Sequence, residues 1–174
     1  MELNINKLSD FVILYCHNLG VNISPLKLQK LLYYIQSWHI TKFDKNILFD
    51  ELPEAWVNGP VYRSVYNQYK DKFFRNEAIN NELEESGLSE KTMQVSNSLG
   101  LSEEKVEFIT AVLNVYASMS DEKLVLLTHN EEPWNNARQG LSPIARSTNK
   151  ISPEIIYDYY NKRIKKKKEG ANAG

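Results

Sequence analysis

Apolar residues recur at intervals of three and four along the first twenty positions, which is typical of an amphipathic helix. The residues on this face are Ile5, Leu8, Val12, Tyr15 and Leu19. Gly20 follows as a helix stop, because glycine readily adopts the left-handed conformation that ends a helix. The pattern therefore predicts a first helix from Asn6 to Leu19.

A second helix is predicted from Ser24-Pro25 to about Ile40, because serine caps free backbone N–H groups and proline suits the first helical turn. One face carries Leu28, Leu31, Leu32, Ile35, Trp38 and His39. The opposite face carries Leu26, Gln29, Lys30, Tyr33 and Ser37. Since this second face mixes polar groups with a leucine and a tyrosine, we expect the helix at the centre of the fold or at a partner surface.

The stretch from Thr41 to Asn58 lacks helical spacing. Its two short apolar runs, Ile47–Phe49 and Ala55–Val57, are predicted to form one small antiparallel pair. Asn58-Gly59-Pro60 is predicted as a turn, and Pro60 as the start of a third helix that runs to about Phe73.

The second half of the chain predicts further helices that begin at Ser102, Ser120, Pro133 and Ser152-Pro153. The polar stretch from Glu77 to Gly100 is predicted as a surface excursion with at most one short helix. Together these patterns predict a mainly α fold: a single compact helical domain of about six helices, with at most one short β hairpin.

Length and charge narrow the class of protein. A chain of 174 residues suits one domain, and the single cysteine, Cys16, in an apolar run is expected to be a buried thiol. No leader pattern and no long apolar run occur, so we expect a cytoplasmic protein with no membrane segment.

Charge is unevenly distributed along the chain. Lys162, Arg163 and the lysines at 165–168 carry six positive charges and Glu169 one negative charge, which leaves a net charge of −6 on the remainder. An acidic body disfavours nucleic acid and suits a basic protein partner.

Candidate catalytic chemistry is sparse. His129 stands near Glu131 and Glu132, but a histidine at one helix end and acids at the start of the next are also what helix termini favour. The histidines lack the spacing of a zinc site, and no glycine-rich phosphate loop occurs. We therefore expect no enzyme activity, no catalytic residue, no metal and no cofactor, with a hydrolase centred on His129 as an alternative.

Two further patterns allow two interpretations each. The first two helices resemble a helix-turn-helix in which Lys27, Gln29 and Lys30 could read DNA bases, although an ordinary packed helix pair is commoner. Trp38 and Trp134 are expected in the core and Arg138 in a structural pairing, whereas Trp56 is left open between core and interface.

Three blocks, in this order, carry a resemblance to a known family. The first, 26–36, contains Leu28, Gln29, Lys30, Leu31, Tyr33 and Gln36. The second, 54–66, contains Ala55, Trp56, Gly59, Pro60, Val61 and Tyr66. The third, 127–138, contains His129, Pro133, Trp134 and Arg138. The chain resembles the Panacea family over about residues 5–160, also described as SocA-like antitoxins and phage-associated GepA-type proteins.

The resemblance implies an antitoxin that neutralises a cognate protein toxin by direct binding, with a Panacea domain over 1–160 and a basic, flexible tail over 161–174. Two alternatives stay open: an adaptor that delivers the toxin to a protease, and a DNA-binding autorepressor. For toxin binding the candidate residues are Leu26, Gln29, Lys30, Tyr33, Trp56 and Arg63. We expect truncation of Tyr33 or Arg63 to raise toxicity on co-expression while the fold stays intact.

Overall fold

The structure, a computed structural model, describes residues 3–75, 77–84 and 86–172. Within these ranges the chain forms eight helices and one hairpin, so the mainly α fold is confirmed. The helices are α1 (Ile5–Asn18), α2 (Pro25–Lys42), α3 (Arg63–Arg75), α4 (Leu88–Ser98), α5 (Glu103–Tyr116), α6 (Asp121–His129), α7 (Glu132–Ala137) and α8 (Pro153–Asn172). The strands are β1 (Glu54–Trp56) and β2 (Gly59–Val61).

Helix α2 is the centre of the fold. The Ser24 hydroxyl accepts a hydrogen bond from the Lys27 N–H, so Ser24 caps the helix as predicted, and Pro25 occupies its first turn. The helix contacts α1, α3, α5, α6, α8 and β2. It is buried on both faces: Leu28 and Leu31 are fully buried, and so are Lys30 and Tyr33 on the opposite side. The mixed face therefore belongs to a central helix, because other elements surround it on all sides.

The hairpin corrects one prediction. β1 pairs with β2 in antiparallel register, with Ala55 opposite Pro60, and not with 47–49. The Gln36 side chain binds the backbone of 47–49 instead. Its amide nitrogen donates to the Phe49 carbonyl at 2.8 Å, and its amide oxygen accepts from the Leu48 N–H at 2.9 Å. These bonds fix the run against α2 and occupy backbone groups that a strand would need.

The third helix begins later than predicted, at Arg63, because Gly59–Val61 forms strand β2. The Glu51 carboxylate accepts a hydrogen bond from the Ser64 N–H at 3.0 Å and so satisfies a free donor in the first turn. Negative charge is also favourable at a helix N-terminus. The cap therefore comes from a residue outside the helix, 13 positions earlier.

The polar stretch after α3 contains one short helix, α4, as predicted, and α4 packs on α1. Asn76 and Glu85 lie outside the described residues. Helix α8 packs on α2 and α7 and continues to Asn172, so part of the predicted tail is helical. Ala173 and Gly174 lie outside the described residues, and the flexibility of 161–174 stays a prediction.

One continuous apolar core includes Cys16, which is fully buried as expected for a packing thiol. Trp134 is 8% exposed and belongs to this core, and Trp38 packs against it with its indole N–H donating to the Tyr116 hydroxyl at 2.9 Å. Among the described residues, no helix is both long and apolar enough to cross a bilayer.

Candidate functional site

The three sequence blocks meet where α2, the hairpin and the α6–α7 corner adjoin. The Gln29 amide spans the gap to the hairpin exit: its nitrogen donates to the Tyr62 carbonyl at 3.2 Å and its oxygen accepts from the Tyr62 N–H at 2.7 Å. The Trp134 indole N–H donates to the Trp56 carbonyl at 2.9 Å. The first and third blocks therefore each supply a side chain that satisfies backbone groups of the second block.

Lys30 is buried against the turn of the hairpin. Its ammonium donates to the Pro60 carbonyl at 3.0 Å, and burial lowers the pKa of Lys30 to about 7, an effect that Asp121 only partly opposes. Gly59, at φ +99°, leaves room for this lysine: a Cβ there would lie 2.7 Å from Lys30 Cε and 2.7 Å from Thr128 Oγ1. Gly59 is therefore required for both its backbone conformation and its lack of a side chain.

Arg138 organises the loop after α7. Its guanidinium donates to the Ala55 carbonyl at 2.8 Å, and also to the carbonyls of Ser142 at 3.2 Å, Pro143 at 3.2 Å and Ala145 at 2.8 Å. The side chain also lies over the Trp134 ring, 5.1 Å from its centroid. The predicted structural role is thus borne out, with backbone carbonyls rather than a carboxylate as partners, and the loop to Ala145 is fixed to β1.

Glu131 lies in the core between α6 and α8 and is 3% exposed. It accepts hydrogen bonds from the Tyr160 hydroxyl at 2.7 Å and the Tyr34 hydroxyl at 3.4 Å, and Arg163 lies 3.4 Å away. Burial raises the pKa of Glu131 to about 7, because the loss of hydration outweighs these favourable partners. The carboxylate links α8 to α2 and to the α6–α7 corner.

His129 ends α6 and packs against the following helix, α7. Its ring stacks on Trp134, with centroids 4.1 Å apart and planes at 17°. Nε2 is buried and makes no hydrogen bond to any residue that the structure describes. Burial, followed by the charge of Lys30, lowers the pKa of His129.

Metal ligands do not converge in the described ranges: no group of three or more His, Cys, Asp or Glu side chains lies close enough to hold an ion. His39 instead binds the backbone, with Nδ1 2.9 Å from the Asn46 carbonyl. Cys16 and His17 stand on α1, where Cys16 is buried and His17 lies 3.1 Å from the Asn80 amide.

A cleft of about 700 Å³ opens beside this junction. Its walls are the first turns of α2, the hairpin, one face of α3 and the loop at 146–148. One wall is aromatic and joins β1 to α3: the rings of Trp56 on β1 and Tyr66 on α3 have centroids 4.8 Å apart, and the row continues along α3 through Phe73 to Phe74. We call this space the aromatic cleft.

Charge in the aromatic cleft is positive. Arg63 and Arg146 line it, and no aspartate or glutamate occurs among the described residues that do so. The Arg63 guanidinium lies 5.1 Å from the Trp56 ring centroid and 2.6 Å from a Glu54 oxygen. Glu54 is itself buried and also holds Lys150 at 3.0 Å and the Trp56 indole N–H at 2.8 Å. Hydrogen bonds from Arg63, Trp56 and Lys150 outweigh the desolvation of Glu54 and lower its pKa.

The comparison with protein-family models gives one match: the model described as "Antitoxin SocA-like, Panacea domain" covers residues 28–135, more than half of the chain. This chain belongs to the SocA-like Panacea family. The matched range begins inside α2 and ends inside α7, so Leu26 and Arg138 lie just outside it. No curated protein and no solved structure matches the chain.

The Panacea domain brings together only part of the predicted toxin-binding set. Leu26, Gln29, Trp56 and Arg63 line the aromatic cleft, although Gln29 is only 5% exposed. Lys30 and Tyr33 are fully buried, which corrects their prediction as toxin-binding residues, because neither side chain is accessible to a partner. The hairpin covers Lys30, and Tyr33 packs edge-on against Tyr34 in the core. Truncation of Tyr33 would therefore remove core packing and destabilise the fold.

The same burial bears on the helix-turn-helix interpretation. Lys27 is 9% exposed, and its ammonium lies 3.3 Å from the Ala117 carbonyl. Gln29 and Lys30 are held by the hairpin as described above. Side chains fixed in this way cannot reach base edges in a DNA groove, which favours the packed helix pair.

Sequence reasoning missed one wall of the cleft. Arg146, Ser147 and Thr148 line it from a loop with no periodic pattern. Phe74, which is 74% exposed, was also missed. The one pattern that could have indicated an exposed aromatic residue is the pair Phe73-Phe74, because a single buried helix face cannot cover both side chains.

Proposed function

We propose that this Panacea domain is an antitoxin that neutralises a cognate protein toxin by binding it directly in the aromatic cleft. Membership of the SocA-like family supports the general role. The single observation that carries the binding site is the cleft itself, a concave surface lined by Trp56, Tyr66, Phe73 and Phe74 beside an arginine. Exposed aromatic and arginine side chains are the residues that most often dominate the free energy of protein association.

Phe74 is a largely exposed side chain in the aromatic cleft. A phenylalanine that leaves 74% of its surface in water gains little hydrophobic stabilisation from the isolated fold. Burial of such a side chain against a partner contributes roughly 1.5–3 kcal/mol. A surface of this kind is expected to act by occupying the toxin, without catalysis and without a cofactor. We further propose that the pair acts in the cytoplasm of a prokaryote, as a chromosomal or phage-borne module.

The test is neutralisation by variants of the cleft. The chain is co-expressed with the product of the adjacent open reading frame as candidate toxin, and growth and co-purification are measured. Phe74→Ala and Phe73→Ala together should abolish protection and co-purification, because both side chains are exposed and their loss should leave the fold intact. The matched control is Val115→Ala, which truncates a 56% exposed apolar residue on α5, outside the cleft.

Full protection by the Phe73/Phe74 double variant, with a complex that still co-purifies, would rule out the cleft as the toxin-binding surface. The half-life of the toxin is measured in the same strains. A toxin that is cleared only when the antitoxin is present would identify the adaptor mechanism instead of simple blocking.

A further inference from the structure

The chemistry of the partner can be argued from the charge of the aromatic cleft. The chain as a whole is acidic by one charge, yet two cations, Arg63 and Arg146, line the cleft, and Arg63 shares the Glu54 carboxylate with Lys150. The positive charge is therefore local and is not an average of the whole surface. It lies where the apolar surface is also exposed.

Arg146 is the cation whose charge is least compensated. Arg63 and Lys150 both bind Glu54, whereas Arg146 is exposed and makes no salt bridge to a residue that the structure describes. The segment just before it is fixed, since the Arg138 guanidinium holds the carbonyls of Ser142, Pro143 and Ala145. The backbone before Arg146 is thus held in place, so less backbone entropy is lost when this side chain pairs with a ligand.

The neighbouring surface restricts the direction in which a charged partner can lie. Leu26 and Asn58 form a ridge that is shared with a second, shallower depression. That depression carries Asp121 and Glu122 and no lysine or arginine among its described lining residues. A carboxylate on a partner is repelled from this side of the ridge and attracted to the other.

We infer that the occupant of the aromatic cleft is a segment of another protein that carries large apolar side chains together with a carboxylate, and that this carboxylate pairs with Arg146. This inference rests on the proposed function in one respect only, namely that the partner is a toxin. Apolar side chains of the segment cover the Trp56 to Phe74 row. Arginine matches a carboxylate with two parallel hydrogen bonds, so the pairing fixes orientation as well as affinity.

The probe is a phage-displayed library of random 12-residue peptides, selected on the full chain and depleted on the Phe73→Ala, Phe74→Ala variant. Enriched peptides are synthesised twice, once as selected and once with each Asp or Glu replaced by its amide. Binding is measured by fluorescence anisotropy to the wild type and to Arg146→Gln. We expect enriched peptides to combine aromatic or aliphatic residues with an acid.

The acid-to-amide change should weaken binding to the wild type about tenfold, and binding to Arg146→Gln by less than about twofold. This double-mutant cycle isolates the pairing from the general effect of charge. The matched control is Lys91→Gln, which also removes one exposed positive charge but lies on α4 outside the cleft. It should reproduce the wild-type tenfold difference.

Three results would overturn the inference: no peptide that depends on the cleft, peptides whose acid is dispensable, or an equal loss in Arg146→Gln and Lys91→Gln. A self-associating chain whose dimer excludes the peptides, detected by sedimentation, would assign the cleft to a second copy and overturn it as well. Because the selection uses no toxin, its result is independent of neutralisation. Acid-dependent peptides together with full protection by Phe73→Ala, Phe74→Ala would leave the cleft chemistry standing and remove only the antitoxin role of this surface.

Discussion

Gly59 is the residue at which the fold of the Panacea domain is tightest. Its φ of +99° is unfavourable for any side chain, and a Cβ would meet Lys30 and Thr128 at 2.7 Å. The lysine cannot easily yield, because it is buried and bonded to Pro60. Gly59→Ala should therefore lower the free energy of unfolding by more than about 2 kcal/mol, measured by urea denaturation.

Gly100→Ala is the matched control for this prediction. Gly100 also has a positive φ, +66°, but nothing lies within 4 Å of a Cβ there. Only backbone strain remains, at a cost of about 1 kcal/mol. If the two variants lose equal free energy of unfolding, contact of the added Cβ with Lys30 and Thr128 contributes nothing to that loss.

Lys30 makes stability depend on pH. Its folded pKa of about 7 lies below the ordinary 10.5, so between these values the unfolded chain binds one more proton than the folded chain. The contribution of Lys30 is therefore fully present above 10.5 and is lost as the pH falls through 7. In urea unfolding at pH 7 to 9, Lys30→Met should remove a slope of up to about 1.4 kcal/mol per pH unit.

Lys91→Met provides the comparison, since it removes an exposed lysine and should keep the wild-type slope. If Lys30→Met and the wild type give parallel profiles over the same range, the ammonium is charged in the folded protein and the assigned effect of burial is wrong.

At the scale of elements, helix α8 is held through Glu131. The folded pKa of about 7 lies above the ordinary 4.5, so here the folded chain binds the extra proton. Stability from this group is fully present below pH 4.5 and is lost as the pH rises through 7. Glu131→Gln keeps an acceptor for the Tyr160 hydroxyl and should flatten the profile of unfolding free energy between pH 4.5 and 7.

Glu132→Gln is the neighbouring control: it changes an exposed carboxylate one position away and should leave the profile unchanged. Tyr34, Tyr160 and Arg163 donate hydrogen bonds to Glu131 from other elements, and Tyr33, Tyr116 and Tyr159 lie close enough to interact with its charge. Identical profiles for both variants would mean that these partners keep Glu131 ionised across the range.

The helix starts were predictable from local sequence, whereas the pairing of the strands was not. Ser24 and Ser120 were predicted as helix starts, and each hydroxyl accepts a hydrogen bond from the N–H three residues later. Ser102 begins α5 as predicted, although its side chain makes no capping bond. The strand partner was wrong because Gln36, 12 residues away, decides what Leu48 binds. Local signals locate helix ends, whereas pairing depends on contacts that are distant in the chain.

At the scale of the whole molecule, charge is divided between an acidic body and the basic end of α8. Residues 165–169 are exposed, so a chain that ends at Ile164 should keep its unfolding free energy within about 0.5 kcal/mol. Its net charge becomes −4, because four lysines and one glutamate are lost from a chain of net charge −1. We expect unchanged urea midpoints and later elution from an anion exchanger.

A chain that ends at Tyr159 is the comparison, because it also loses Tyr160 and Arg163, which bind Glu131. Loss of that buried network should cost more than about 3 kcal/mol. If the two truncations are equally stable, the contacts of Glu131 do not anchor α8.

The candidate site was predictable where a residue type carries its own signal. Trp56 and Arg63 were candidates for toxin binding, which stays a prediction, and both line the cleft. Tyr33 and Lys30 were predicted to bind the toxin from one face of α2. Both are buried, because the hairpin and the core cover that face. Arg146 was not predicted, since a loop arginine has no pattern until Arg138 fixes its position.

By itself, the sequence determined the helical periodicity, most helix starts, the three blocks and the family, because each depends on residues near one another in the chain. The tertiary structure alone decided that α2 is surrounded, that Gly59 must admit Lys30, and that an aromatic row and two arginines share one cleft. These features join residues far apart in sequence, and such contacts form only when the chain has packed, so no local pattern can specify them.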